Sequence, residues 1–219
     1  MKNTDNSKSF YVIYFKRLID IIIGLMALPF LIVITVVVGM AIKIEDKGPV
    51  FYKARRIGKD SKIFDMYKYR SMKVNSPNYT NPDGSTYNAP DDDRVTNVGK
   101  FIRKTSIDEI PQFFNVLIGN MSFIGPRASG AGALDNYLAD EKDKMKVLPG
   151  ITGYTQAYYR NGLSVREKRL KDAWYANNVT ISLDVRILLK SFITVFKREN
   201  VYTNEAGTEK ENLWIDVGE

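Results

Sequence analysis

Asp108 and Glu109 stand side by side in the run Arg103-Lys104-Thr105-Ser106-Ile107-Asp108-Glu109-Ile110. Their neighbours allow two readings. Ser106 as N-cap with Glu109 three residues on makes a capping box, and Asp108 in the first turn complements a helix dipole, so the tetrapeptide can be wholly structural. The same physics keeps a carboxylate at a helix N-terminus ionised and nucleophilic, with free N–H groups near it to hold a phosphate under attack. Arginines add to the second reading. Arg103 lies five residues before Asp108, and Arg127 follows Gly125-Pro126 in a turn beyond the predicted helix. A planar guanidinium grips two phosphate oxygens at once. Lys68 and Arg70, beside Tyr67 and Tyr69, supply a second cationic cluster. Carboxylates and cations in this combination point to phosphoryl chemistry.

Composition removes the main competitors. The 219 residues include no His and no Cys, which excludes an imidazole base, a Ser/His triad, a thiolate nucleophile, an Fe–S cluster and His-ligated zinc or haem iron. Carboxylates, Lys, Arg, hydroxyls, backbone groups and a hard metal remain. Asp91-Asp92-Asp93 lacks the spacing and terminal Glu of an EF-hand and reads as a solvated acidic turn.

One segment dominates the scaffold that must position these groups. From Ile21 to Ile42 the chain runs 22 residues without a charge, and as a helix it would be about 33 Å long, enough to cross a hydrocarbon core. Its distance from the start, the missing Ala-x-Ala site and Pro29 within it argue against a cleaved signal peptide. A single-span anchor is the simple reading. Pro29, however, divides the segment into Ile21 to Leu28 and Pro29 to Ala41, roughly 12 and 20 Å of helix, neither of which spans about 30 Å alone. Charge bears on the same question. Lys16 and Arg17 precede the segment, and residues 43–73 hold ten basic and four acidic residues, net +6 of the chain's +7. A spanning helix has one basic flank; two basic flanks fit a helix that enters and leaves on one side, against anionic headgroups. Both topologies stay open at this level.

The rest reads as one α+β, mainly helical domain. Val50 to Lys53 and Ile63 to Tyr69 are rich in aromatic and β-branched residues and predict a hairpin across Arg56 to Asp60. Residues 75–93 read as a mobile loop. Ile110, Phe113, Phe114, Leu117 and Ile118 form a helical stripe ending near Gly119-Asn120. Met121 to Arg127 is a strand or turn, Ala128 to Lys146 a polar helix, Val147 to Gly153 a bent loop and Val165 to Ala176 a charged helix. The stripe Val185, Leu188, Leu189, Phe192, Val195 and Phe196 marks an amphipathic helix facing either the core or a membrane interface.

Seven motifs in order then carry a resemblance. They are Lys16-Arg17-Leu18-Ile19-Asp20 before the proline-containing segment, Arg56-x-Gly58, Lys68-Tyr69-Arg70-Ser71-Met72, Asp93-Arg94-Val95-Thr96-x-x-Gly99, Arg103 to Gln112, Asn115 to Arg127, and Pro149-Gly150-Ile151-Thr152-Gly153. This series resembles the bacterial sugar transferases, the monotopic phosphoglycosyl transferases, over about residues 14–200. The short form resembles the small catalytic-core members of that family that begin glycan assembly.

The resemblance implies transfer of a sugar 1-phosphate from a UDP-sugar donor to a polyprenyl phosphate such as undecaprenyl phosphate, with release of UMP and assistance from Mg2+. It implies that Asp108 is the nucleophile, forming an aspartyl-phosphosugar, and a ligand of Mg2+, with Glu109 as the neighbouring acid. Lys68, Arg70, Arg103, Pro126, Arg127 and Arg160 are the expected phosphate and substrate contacts. Pro29 is expected to break a re-entrant membrane helix over about 16–43, within an N-terminal region of 1–43. A catalytic domain of 44–200 follows on the cytoplasmic face of the bacterial inner membrane, then a tail of 201–219. Membrane phospholipids and downstream glycosyltransferases are the further expected partners. Departures from the family pattern include Leu28-Pro29 for Ser-Pro, Pro126-Arg127-Ala128 for Pro-Arg-Pro, Tyr154-Thr155-Gln156 for Trp-Ala-Gln and Tyr158-Tyr159-Arg160 for an Asn-Gly-Arg ending. The competing expectations are a non-enzymatic, membrane-tethered basic module for anionic lipid or nucleic acid, and a silent scaffold. No nucleic-acid motif supports the former, and intact Asp108 and Glu109 oppose the latter.

Overall fold

Aromatic and β-branched runs pair as expected: β1 (Phe51–Ile57) and β2 (Ile63–Tyr69) form an antiparallel hairpin with Phe51 opposite Tyr69 and Ile57 opposite Ile63. Alternation then puts Met66 and Lys68 on one face and Tyr67 and Tyr69 on the other. The computed structural model describes residues 6–77, 79, 92–159 and 162–197, with side chains as far as residue 194. Most of the 75–93 loop, Arg160 and the 201–219 tail lie outside the described residues.

A π-helical turn, Tyr11–Phe15, leads into α1 (Lys16–Asp46). The helix runs unbroken through Pro29, so the expected division into two pieces is not observed. Proline removes the one N–H that would bond the Leu25 carbonyl, and the turns on either side keep their own bonds. Lys47, in a left-handed conformation at φ 50°, ends the helix.

Both ends of α1 are tied to the rest of the chain. Near the start, Arg17 donates to the carbonyls of Val116 and Leu117 at 2.5 and 2.8 Å, and Asp20 accepts from the Phe123 N–H at 3.0 Å. Lys16 is ion-paired with Asp184. Gly24 lets Leu117 close in: a Cβ there would lie 2.6 Å from its Cδ2. Near the other end, Thr35 and Tyr69 share a hydroxyl contact of 2.7 Å, and Val38 and Ile42 pack with Tyr69 and Ile102. Between these attachments Leu25, Met26, Phe30, Ile32 and Val33 are exposed.

Glu45 receives the N–H groups of Asn97 and Val98 at the start of α2 (Asn97–Lys104), whose N-cap is Thr96. A Cβ at Gly99 would lie 1.9 Å from the Ser71 carbonyl oxygen, so this glycine lets α2 rest on the chain leaving β2. Asp92 is buried rather than solvated, because Arg94 grips it through two guanidinium nitrogens at 2.8 and 2.6 Å.

The predicted capping box does not form. Ser106 is left-handed at φ 58° and caps nothing, residues Ile107–Glu109 make one 3-10 turn, and α3 is the short helix Gln112–Leu117 with Pro111 at its N-cap. Proline supplies no N–H to a ladder started at Ile107, so the helix begins only after it. The buried face of α3 is Gln112, Asn115 and Val116, while Phe114 and Ile118 of the predicted stripe face outward. Asn115 sets this orientation. Its Oδ1 accepts from the Tyr67 N–H at 2.9 Å and its Nδ2 donates to the Asp65 carbonyl at 2.7 Å, so the side chain serves as a partner for the β2 edge.

Strand β3 (Ser122–Ile124) pairs in parallel with β4 (Gly150–Thr152), which lies inside the predicted bent loop. In place of a polar helix over 128–146 there are two 3-10 segments, Ala131–Asn136 and Ala139–Lys146. The inward pull of Glu141, held by Arg166 and Arg169, and of buried Lys144 replaces a regular helical face. After α4 (Tyr154–Tyr158), α5 (Val165–Asn177) starts with the capping box Ser164/Glu167, and α6 is Ile181–Lys197. On α6, as far as its side chains are described, the buried positions are Asp184 and Ile187; Val185, Leu188, Leu189 and Phe192 are exposed, so core packing is not the role of these four.

Replacing Asn115 with Ala leaves the Tyr67 N–H and the Asp65 carbonyl without their partner in a half-buried setting. A loss of about 2–4 kcal/mol is expected, read as a lower thermal midpoint in detergent. A midpoint equal to that of the parent would show that the clamp is dispensable.

Candidate active site

The 3-10 turn carrying Asp108 and Glu109 faces β2. Lys68 Nζ lies 2.7 Å from Glu109 Oε1 and 3.7 Å from Asp108 Oδ2, so one ammonium serves both carboxylates. Strand alternation aims Lys68 to the same side as buried Met66, and the Asn115 clamp fixes how far along β2 the turn sits. Arg127 reaches the same Glu109 oxygen at 3.4 Å from the opposite side, with its side chain largely open to solvent.

Arg103 comes from the last turn of α2. Its Nε donates to Ser71 Oγ at 2.8 Å, and its charge acts on Asp108. The motifs around Ser71 and Gly99 thus join to aim this arginine, through Thr96 N–H to the Ser71 carbonyl at 3.1 Å and the close approach at Gly99.

Glycines hold the Arg127 loop. The Gly150 N–H donates to the Pro126 carbonyl at 3.0 Å and the Gly125 N–H to the Thr152 carbonyl at 2.9 Å. A Cβ at Gly150 would meet the Gly125 nitrogen at 2.1 Å, and one at Gly153 the Gly125 oxygen at 2.0 Å. Pro126 is fully buried beneath the loop, where its ring stiffens the turn that carries Arg127.

Two adjacent carboxylates in one place are driven apart in acidity. Burial pushes Asp108 above the ordinary aspartate value; Lys68 opposes this and Glu109 reinforces it. For Glu109, burial works against ionisation, but Lys68 and Arg127 overcome it and hold the carboxyl at about 2. Glu109 therefore stays ionised as an anchor for the two cations and donates no proton near neutrality. Asp108 is the more basic of the two and, once ionised, the better nucleophile.

Not every predicted contact joins this cluster. Arg70 is buried at the end of α1 beside Asp46, 3.0 Å away but out of line for a hydrogen bond. A Cβ at Gly48 would sit 1.7 Å from its Nη1, so the Gly48 turn is shaped around it. Arg70 is therefore a brace between helix and hairpin. Arg160 lies outside the described residues.

Arg56, noted only within a motif, belongs to the site. With Glu109, Gln112, Arg127 and Gly150 it lines a shallow, solvent-open cleft. Its Nε is buried without a partner, and burial together with neighbouring Arg127 lowers its pKa. The prediction placed Arg56 in the hairpin's turn; the structure carries β1 on to Ile57, so Arg56 pairs with Phe64, two residues from Met66 and on its face.

The sequence profile of the bacterial sugar transferase family matches residues 11–198. The UDP-glucose:undecaprenyl-phosphate glucose-1-phosphate transferase of Klebsiella pneumoniae is 41% identical over 191 residues, covering 84% of this chain and 40% of that protein. The undecaprenyl-phosphate galactose phosphotransferase of Salmonella typhimurium is 35% identical over 201 residues, covering 86% and 42%. The chain thus spans about two-fifths of the length of these relatives. An uncharacterized sugar transferase of Bacillus subtilis, EpsL, is 36% identical over 197 residues and matches over 89% of this chain and 94% of its own length. The profile takes in α1, the hairpin, the paired carboxylates and the Arg127 loop, and the chain belongs to the bacterial sugar transferase family.

Proposed function

We propose that this chain transfers a sugar 1-phosphate from a UDP-sugar to a polyprenyl phosphate such as undecaprenyl phosphate, releasing UMP. The observation that carries the reading is a buried, basic Asp108 beside an ionised Glu109, with Lys68, Arg103 and Arg127 acting on them. The names of the Klebsiella and Salmonella relatives support the reaction class: they share undecaprenyl phosphate and differ in the sugar. A basic module that only binds lipid or nucleic acid gives no reason for two carboxylates to be gathered under its cations.

In the proposed cycle an Asp108 oxygen attacks the β-phosphorus of the donor. The new P–O bond forms as the bond to the bridging oxygen breaks, and UMP leaves with the electron pair. An oxygen of the polyprenyl phosphate then attacks the same phosphorus, the aspartyl bond breaks, and Asp108 returns as a carboxylate. No proton donor is needed for UMP to leave in the first step or for the Asp108 carboxylate to leave in the second, which agrees with an ionised Glu109. Lys68, Arg103 and Arg127 meet the negative charge that shifts between oxygens.

Mg2+ belongs to the proposal. Among the described residues no three acidic, His or Cys side chains converge, so there the carboxylate pair is what could receive a metal. Mg2+ favours such a place, one or two carboxylates completed by substrate phosphates and water. Glu109 Oε1 is taken by Lys68 and Arg127, while Asp108 has only the longer 3.7 Å contact with Lys68, so Asp108 is the residue that would hold the ion. Bound there, Mg2+ would offset charge on the diphosphate.

The reading also includes attachment to the cytoplasmic face of the bacterial inner membrane, with both ends of the unbroken α1 on that side. Support comes from α1 being tied to the domain both at Lys16 to Gly24 and at Thr35 to Glu45, with exposed apolar residues around Pro29 between them. A helix crossing a core of about 30 Å would carry its two ends to opposite faces. Outward Phe114 and Ile118 on α3, and the α6 stripe, extend this apolar surface from the start of α1, where Arg17 meets α3 and Lys16 meets α6.

Three outcomes test the proposal. Asp108→Asn should reduce UMP release from UDP-sugar and polyprenyl phosphate by on the order of a thousandfold or more; sustained turnover would sink the covalent route. The acid limb of kcat/KM should lie above pH 3.8, the ordinary aspartate value. Lys68 lowers the Asp108 pKa, so Lys68→Met should move that limb to higher pH, and an unmoved limb would separate Asp108 from the rate. Labels placed before Lys16 and after Lys43 should both react from the cytoplasmic side, whereas labelling from opposite sides would rule out re-entry.

A further inference from the structure

A lysine is buried behind the Arg127 loop, away from the carboxylate pair. Lys144 is 7% exposed, and its ammonium donates to the Arg127 carbonyl at 3.0 Å, to Ser129 Oγ at 3.4 Å and to Asp172 Oδ2 at 3.2 Å. An ammonium has three N–H donors, and these are three acceptors. Asp172 is buried too, and its other oxygen accepts from Thr155 Oγ1 at 2.8 Å. A continuous path therefore runs from Thr155 on α4 through Asp172 on α5 and Lys144 to the backbone of Arg127.

Burying an ion pair is a poor route to stability, since a well-packed apolar substitute often serves as well or better. A specific geometry is a better reason to retain one here. The Pro126 carbonyl is held by the Gly150 N–H and the Ser129 carbonyl by the Ile57 N–H. The Arg127 carbonyl lies between them, and Lys144 is what holds it. The Arg127 side chain, by contrast, is 58% exposed and makes its 3.4 Å contact with Glu109 from a loop rather than a helix. Its aim depends on that backbone.

We infer that Lys144, backed by Asp172, is a positioning residue that sets the Arg127 guanidinium against the phosphates of the substrate. This rests on the proposed transfer reaction, and the test separates the two. Lys144→Met with Asp172→Asn removes both charges while keeping volume. In otherwise native enzyme the pair should slow UMP release roughly tenfold to a hundredfold, the scale of a misplaced contact. In an Arg127→Lys background, whose aim is already lost, the same pair should cost less than about twofold. Amide hydrogen exchange at Gly150 and Ile57 should quicken in the variant. Equal losses in both backgrounds, or native turnover, would overturn the inference. If the double variant does not fold, Thr155→Val takes its place: it removes only the hydrogen bond onto Asp172 and should show the same dependence on Arg127, and independence would again overturn the inference. Should the native protein release no UMP from any UDP-sugar, the transfer reading fails by itself. Hydrogen exchange then decides the positioning claim, and unchanged exchange refutes it.

Discussion

Two carboxylates on consecutive residues, sheltered from water, repel each other and each lose hydration; they stay together only if a cation is held between them. Lys68 is that cation, and much of the surrounding structure fixes its height and direction. Slipping the hairpin by one residue would turn Lys68 to the opposite face and leave the pair uncompensated. The Asn115 amide prevents this by bonding β2 backbone on both sides of Met66. Asn115 sits on α3, and the last carbonyls of α3 are capped by Arg17 from α1. Support for the site therefore passes from β2 through α3 to the start of the apolar helix. Three hydrogen-bonded steps, Arg17 to α3, Asn115 to β2 and Lys68 to Glu109, join α1 to the carboxylates.

The same lysine also divides the labour between the two acids. It lies a full ångström closer to Glu109 than to Asp108, and Arg127 adds to Glu109 directly. The result is one carboxylate held far down and one pushed up. Sequence position alone does not separate the two members of an Asp-Glu pair. The unequal distances do: an acid that binds two cations is saturated as a partner, while its neighbour keeps more of its basicity, the property that the proposed attack would use.

What could be read from the sequence follows the range of the forces involved. The hairpin and the Ser164/Glu167 cap depend on neighbours within a few residues, and they appear where composition predicts them. The gathering of Lys68, Arg103, Asp108, Glu109 and Arg127 was legible only from these charges taken together and from the ordered family motifs, since Ser106 to Glu109 alone reads equally well as a cap. Ser106 and Glu109 satisfy the capping pattern, yet Pro111 two residues on withholds the N–H a helix there would need, and the supposed cap becomes a left-handed bend. Arg70 and Arg56 share a residue type and a hairpin, but one is enclosed by the Gly48 turn and the other opens onto the cleft, a difference set by tertiary contacts. The α6 stripe was ambiguous for a simpler reason. A protein core and a lipid interface select the same apolar periodicity, and only the position of Ile187, inside, against Leu189 and Phe192, outside, separates them.

The charge excess of residues 43–73 resolves into distinct parts once burial is known. Lys68 and Arg56 turn inward, where their charges act on Glu109. Arg70 is spent internally against Asp46. Lys43, Lys47, Lys53, Arg55 and Lys62 remain exposed along the end of α1 and the hairpin. A group of like charges facing outward beside an apolar helix lowers its own repulsion by approaching an anionic surface. The inward members, by contrast, gain from a bound phosphate and little from a surface they cannot reach. Under the proposed function the two sets would therefore respond differently to salt. Attraction between exposed charges and headgroups is screened within about 8–10 Å at ordinary ionic strength, whereas the enclosed Lys68 contact to Glu109 is screened much less. Membrane attachment and catalysis would then separate along the same stretch of chain, divided by which side of the hairpin each cation leaves.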